Sequence, residues 1–447
     1  MMVLNNPPRK TLGRCLLVLL LMLGSELTLA EEALVSALRE IAIPLGAPPD
    51  LSPLIERIAP ARVVLLGEAS HGTSEFYSLR AEISRDLIAE HGFRFIAVEG
   101  DWNALYRLNR YVKGYDQDAT SAREIMRTFE RWPTWMWANE ETAALIEWLK
   151  TYNAKLPAER RVGFYGLDVY GKADALRELP ASMAAIDAEE AEWLREQYAP
   201  FDALVDDTRA YVLSLQRGED GLGGNARAVV ERLREQRDQL EIDAAEYLHL
   251  KQMAWVVKNA EQHYGGMAGR GPESWNTRVD HFYQTLERLL DFYGTDAKGI
   301  VWAHNTHVGD ARATDMARQQ RRNIGQLARE GLGPEQVAAV GFGTWRGRVL
   351  AGSAWAAPME RMTAPPAAPD SIEAAMHAAG DGEDLLFLFD ASVPAPLRQP
   401  HGHRAIGVVY RPEREVPGNY VPTVLPRRYD AFVFIHETEA LTPIPAR

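Results

Sequence analysis

Cysteine is almost absent from this 447-residue chain; Cys15 is the only one. That excludes a disulfide scaffold, a Cys-ligated zinc site and an iron–sulfur cluster. A surplus of positive charge is also missing. The net charge is −13, the opposite of what a phosphate-binding face needs, so nucleic acid is excluded as a partner. There is no phosphate loop ending in GKS or GKT, and Gly341-Phe342-Gly343 lacks the later glycine of a dinucleotide fingerprint. There is no H-E-x-x-H helix. There is no G-x-S-x-G elbow either, because GEASHG places Ser70 in the wrong frame. What remains is ordinary globular composition, 46% hydrophobic and 25% charged, too apolar for a disordered chain. The length admits one large α/β domain with insertions, or two to three domains of about 150 residues.

Residues 1–30 read as a secretory leader. Arg9, Lys10 and Arg14 make a positive start, and the apolar run Cys15–Gly24 is followed by SELTLA. The run is short of the roughly 20 residues of a membrane span. Cleavage after Ala30 removes Arg9, Lys10, Arg14 and Glu26, leaving 46 basic and 61 acidic residues, a net −15. The mature chain, 31–447, then has no cysteine, so a cysteine nucleophile is excluded. No stable membrane span is expected after cleavage. The expected location is exported, in a bacterial periplasm or secreted.

Four segments read as buried strands: Arg62–Leu66, Arg94–Val98, Val162–Leu167 and Gly299–Ala303. Weaker candidates are 337–342, 384–389, 405–410 and 431–436. Phe76, Leu79, Ile83 and Leu87 repeat at helical spacing between the first two, with Thr73 or Ser74 able to cap the start. Strand, helix and strand of this length form a βαβ unit with parallel strands. The expected fold class is α/β, a mostly parallel central sheet with flanking helices. A large helical insertion is expected at about 185–295, where Ala, Glu, Arg and Leu dominate.

In such a sheet, ligands bind beyond the carboxyl ends of the strands. After the first strand comes Gly67-Glu68-Ala69-Ser70-His71-Gly72. After the second come Glu99-Gly100-Asp101-Trp102. The third ends at Asp168, and His304-Asn305-Thr306-His307 follow the fourth. Taken singly, each has a plain structural reading: Glu68 bonding backbone amides, Glu99 pairing with an arginine, Asp168 capping a helix, His304 and His307 bonding at a helix start. Their gathering at one sheet edge is what points to chemistry, since acid–imidazole pairs are the material of general acid–base catalysis.

At these residues the sequence resembles the erythromycin esterase family. The blocks are LLGEASHGTSEFYSLR (65–80), FIAVEGDW (95–102) and WAHNTHVGD (302–310). The resemblance implies an α/β hydrolase that cleaves an ester, typically the macrolactone of a macrolide antibiotic, and so an association with antibiotic resistance. It places the family's functional residues on Glu68, His71, Arg80, Glu99, His304 and His307, and implies no metal and no other cofactor. One feature departs from the family. Its macrolide-resistance members act inside the cell, whereas this chain carries a leader.

The expected mechanism has His71 as general base on a water that attacks the ester carbonyl. Glu68 or Glu99 orients the imidazole, and Arg80 fixes Glu99 or stabilises the oxyanion. His304 and His307 position the water or protonate the leaving alkoxide. Two readings stand beside it: a metal-dependent hydrolase using the same glutamates and histidines, and a non-catalytic exported protein whose cluster only holds a ligand. Residues 102–148 are rich in tryptophan. Trp102, Trp132, Trp135 and Trp137 are the expected wall of an apolar cleft for a small-molecule ester substrate. Nothing in the sequence speaks to oligomeric state.

Overall fold

The computed structural model describes residues 29–116, 119–204, 208–269 and 271–446. The leader read from residues 1–30 lies outside them except for its last two positions, which begin a helix over 29–41. Among the described residues no helix is long and apolar enough to cross a membrane.

The strands are β1 (Ala42–Pro44), β2 (Val63–Leu66), β3 (Phe93–Asp101), β4 (Gly163–Asp168), β5 (Lys298–Trp302), β6 (Val337–Gly352), β7 (Met359–Ala364), β8 (Leu385–Leu388), β9 (His401–Arg404), β10 (Tyr420–Thr423) and β11 (Ala431–Thr438). Nine form one sheet in the order β1-β8-β11-β6-β2-β5-β3-β4, with β7 paired to β6. The six strands from β11 to β4 are mutually parallel. β8 and β1 extend one edge antiparallel, and β9 and β10 form a separate hairpin. The fold is thus mixed α/β around a mostly parallel sheet.

Strand side chains alternate between two cores. Val63, Leu65, Ala97 and Val301 face one core, while Val64, Leu66, Ile96 and Ile300 face the other. Both faces are covered, which is why these strands read as continuous apolar runs. Helix α1 (Ser74–His91) buries Phe76, Ile83 and Leu87 on the second face. The first face is covered by helices that fill the whole described interval between β4 and β5, from Lys172 to Tyr293. Met253 and Val257 of α2 (Ala244–Ala268), and Phe282 and Leu286 of α3 (Glu273–Tyr293), lie in that core.

Three details differ from the sequence reading. β2 and β3 are parallel, but β5 lies between them, with Ile300 opposite both Val64 and Ile96. The segment 405–410 is not a strand. Its amides bond to the Ala69 and Gly352 carbonyls, and it touches the sheet through isolated bridges at Ile406 and Val409. Its apolar Ile406 and Tyr410 pack in a small satellite core with Val349 and Ala364. Thr73 occupies the N-cap position of α1 without a side-chain cap, because its hydroxyl bonds to Ser70 and the Ser74 hydroxyl donates to Glu141.

Candidate active site

Because β5 sits between β2 and β3, the segments after all three strands meet at one edge of the sheet. Two glycines make the approach possible. A Cβ on Gly67 would stand 2.1 Å from Asn305 Oδ1, and one on Gly72 only 1.9 Å from the Leu350 carbonyl oxygen. The Gly72 carbonyl also accepts from the Leu350 and Leu441 amides, so the loop cannot move away freely. Gly72→Ala is therefore expected to destabilise the fold by roughly 1–3 kcal/mol through overpacking, read as a lower urea midpoint.

Glu68 is fully buried and holds two partners. Its Oε1 accepts from His71 Nδ1 at 2.8 Å, and its Oε2 accepts from Arg80 Nη2 at 2.6 Å. Between the two expected orienting acids, Glu68 is the one bonded to His71. Arg80, on α1, does not reach Glu99. It is fully buried with its guanidinium carbon 4.4 and 4.6 Å from the ring centres of Tyr77 and Trp302, so it anchors Glu68 from behind. The bond through Nδ1 leaves His71 Nε2 as the nitrogen available to a ligand in the cleft that His71 lines. Burial pulls the His71 pKa down. The Glu68 bond and the charges of Glu99 and Glu68 outweigh it, and His71 titrates above the ordinary histidine value.

Glu99 organises the other half. Its Oε2 accepts the His304 backbone N–H at 2.9 Å. Its Oε1 lies 2.8 Å from Arg278 Nη2 and 3.3 Å from His307 Nε2. Burial raises its pKa, but His307, Arg278 and His71 together hold it well below the usual carboxylate range. His304 caps the short helix α4 (Asn305–Val308), its Nδ1 accepting from the Thr306 N–H. Its Nε2 then donates to the Ala69 carbonyl at 3.3 Å. Burial, with the neighbouring His71 charge, keeps it neutral. The His71 and His304 rings stand 4.9 Å apart. His307 stacks on Trp275 at 4.7 Å and 6°.

Arg278, on α3, escaped the sequence reading. Its Nε and Nη2 donate to Asp168 at 2.9 and 2.5 Å, and Nη2 also reaches Glu99. One cation thereby joins Glu99 of β3 to Asp168 at the end of β4. It lies in an arginine-rich helical block, where no local pattern separates it from surface arginines. Asp168, read from sequence as a helix cap, is instead the partner of this arginine.

The cleft has a volume of about 400 Å³ and is lined by His71, Glu99, Asp168, Arg278, His304 and His307. Of the four expected tryptophans, none lines it. Trp102 lies in the core, stacked on Tyr106 and Tyr165 and donating to His249. Trp135 is buried in the second core, and Trp137 donates to the Glu99 carbonyl. Trp132 lies beside the cleft, against Trp355. The aromatic wall comes from Tyr170, Trp275 and Trp355, which lie far from the tryptophan-rich segment in sequence. Ser70 is buried and bonded to Thr73, away from the cleft lining. Among the described residues no three His, Asp or Glu side chains are arranged to hold a metal ion, and both Glu99 oxygens are already engaged.

An α/β protein with a buried acid–imidazole cleft at the carboxyl edge of a mostly parallel sheet is the class defined by fold and site. The sequence profile of the erythromycin esterase family matches residues 88–438, and the chain belongs to that family. Glu68, His71 and Arg80 precede the matched residues, so their place in the site rests on geometry. Erythromycin esterase type II of Escherichia coli is 31% identical over 120 residues, 27% of this chain. The chain thus spans about a quarter (26%) of the length of that relative. Three solved structures share the fold. A Bacillus cereus protein has a TM-score of 0.76 at 18% identity, covering 92% of this chain and 99% of that one. A succinoglycan biosynthesis protein has 0.71 at 20%, covering 92% and 98%. An erythromycin esterase carrying a histidine-to-asparagine substitution, in its open conformation, has 0.64 at 19%, covering 87% and 95%.

Proposed function

We propose that this protein is an exported hydrolase that cleaves a carboxylic ester or macrolactone with a water activated by His71. The observation that carries this reading is the Arg80–Glu68–His71 chain. It fixes the proton on Nδ1 and presents the basic Nε2 to the cleft. Water adds to the ester carbonyl carbon as its proton passes to Nε2, with Glu68 stabilising the imidazolium. Collapse of the tetrahedral adduct breaks the acyl–oxygen bond, and the leaving alkoxide takes that proton back. The products are one acid and one alcohol. Negative charge on the carbonyl oxygen develops in a cleft whose wall carries the Arg278 cation. His304, neutral and with both ring nitrogens engaged, positions rather than titrates. The leader supports export, and its removal would be seen as a mature N-terminus near residue 31.

Acid release from an ester panel that includes macrolactones tests the reading and separates an esterase from a ligand-binding protein, which would release none. Exhaustive chelation is expected to leave that activity unchanged within about twofold. Loss on chelation, restored by added zinc or manganese, would instead favour a metal-bound water.

A further inference from the structure

A second cavity, of about 570 Å³, opens beside the cleft and shares Arg131, Tyr170 and Trp355 with it. Its walls are apolar and aromatic: Trp132, Trp355, Tyr264 and Met267. Trp355 is 63% exposed, with its ring 4.8 Å from that of Trp132. Large aromatic surface left open beside a reaction cleft is the usual sign of a place for a ligand's apolar body.

One further lining residue does not fit a purely apolar recess. Lys172 is only 3% exposed, yet its Nζ has no hydrogen-bond partner. It stands 4.8 Å from the ring centre of Tyr264 and 5.5 Å from that of Tyr211. The carboxylate that acts on it is Glu261, whose Oε1 is taken by Tyr211 and by the Leu222 N–H and whose Oε2 is itself buried without a partner, and the two residues form no hydrogen bond. The other cations at this junction are committed: Arg131 to Asp101, and Arg278 to Asp168 and Glu99. A buried ammonium without a partner is costly, and a carboxylate entering the recess relieves that cost through a charge-assisted bond.

We propose that this recess is a substrate subsite in which Lys172 binds a carboxylate carried on a bulky apolar body. The preferred substrates are then esters bearing a free acid remote from the scissile bond, with the ester in the His71 cleft and the acid at Lys172. This deepens the esterase reading and rests on it. An ester carrying an amine in place of the acid is disfavoured.

Calorimetric titration with 2-naphthoate and its neutral counterpart 2-naphthamide tests the subsite. The acid is expected to bind wild type at least tenfold more tightly than the amide. Lys172→Met, which replaces a buried unpaired charge by an apolar chain of similar length, is expected to erase that preference. Trp355→Ala, at an exposed position, is expected to weaken both ligands alike. Equal affinity of acid and amide for wild type, or a preference that survives in Lys172→Met, overturns the proposal. Equal affinity in wild type overturns the proposal even if Lys172→Met fails to fold. Because binding is read, equal affinities would leave the esterase reading intact, while a lack of ester turnover beside a clear acid preference would count against that reading alone.

Discussion

His71→Ala is expected to lower kcat/KM by about 10²–10⁴ for every ester the wild type cleaves, the range set by losing one positioned proton-transfer group. The fold should survive. With the imidazole gone, Glu68 keeps Arg80 on Oε2, so the buried acid is not left without a cation. The cost is one hydrogen bond to a charged group, about 1.5–3 kcal/mol, and urea unfolding should show a cooperative transition. Added imidazole, small enough for the vacated space, should restore part of the rate. A folded variant that cleaves its ester at the wild-type rate would remove His71 from the mechanism.

Arg278→Met is expected to be the most damaging substitution at the site. It leaves Glu99 and Asp168 buried without the cation that joins them. Removing one partner of a buried ion pair typically costs about 3–5 kcal/mol. The pH dependence of that loss has a definite sign. Glu99 is held well below its ordinary pKa in the folded state. Its ion pairs therefore stabilise above the unfolded pKa, and that contribution is lost as pH falls through the folded value. The deficit of Arg278→Met should be largest near pH 7.5 and narrow toward acid, as the stranded Glu99 takes up a proton. Urea midpoints at pH 7.5 and pH 5 measure this. An unfolding free energy within about 0.5 kcal/mol of wild type at pH 7.5 would show that the arginine is not needed to hold the two acids.

Much of the sheet was legible because parallel strands covered on both faces must be apolar throughout. RVVLL, RFIAV and GIVWA leave no other economical reading. The residues at their carboxyl ends followed from topology. Strand order did not, since no local pattern says that β5 inserts between β2 and β3. Nor could the sequence choose between Glu68 and Glu99 as the partner of His71. That depended on Arg80, which sits on the turn of α1 facing Glu68 and never reaches Glu99. Arg278 was hidden because its partners are 110 and 179 residues away. Arg131, Pro133 and Met136 of the tryptophan-rich stretch do line the cleft, but its tryptophans misled for a physical reason. Indoles fill volume, so Trp102 and Trp135 went to the core, while the cleft took Trp275 and Trp355 from distant loops and helices. In 405–410 Ile406 and Tyr410 pack on a satellite core while the backbone bonds singly to the Ala69 and Gly352 carbonyls, so a strand-like pattern arises without a strand.

Glu68 and His71 work as one base, and the acid limb of the kcat/KM profile reports on the pair. A base must be neutral to act, so activity falls as pH drops through the His71 pKa. In the wild type the Glu68 bond and the nearby carboxylate charges lift that pKa above the ordinary value, placing the midpoint above pH 6.5. In Glu68→Gln the amide oxygen still accepts from Arg80, but the carboxylate bond and the Glu68 charge that help lift His71 are gone, while Glu99 remains, so the His71 pKa falls. Glu68→Gln is expected to show a lower plateau with the midpoint displaced to more acidic pH. An acid limb at the same pH in both proteins would contradict it.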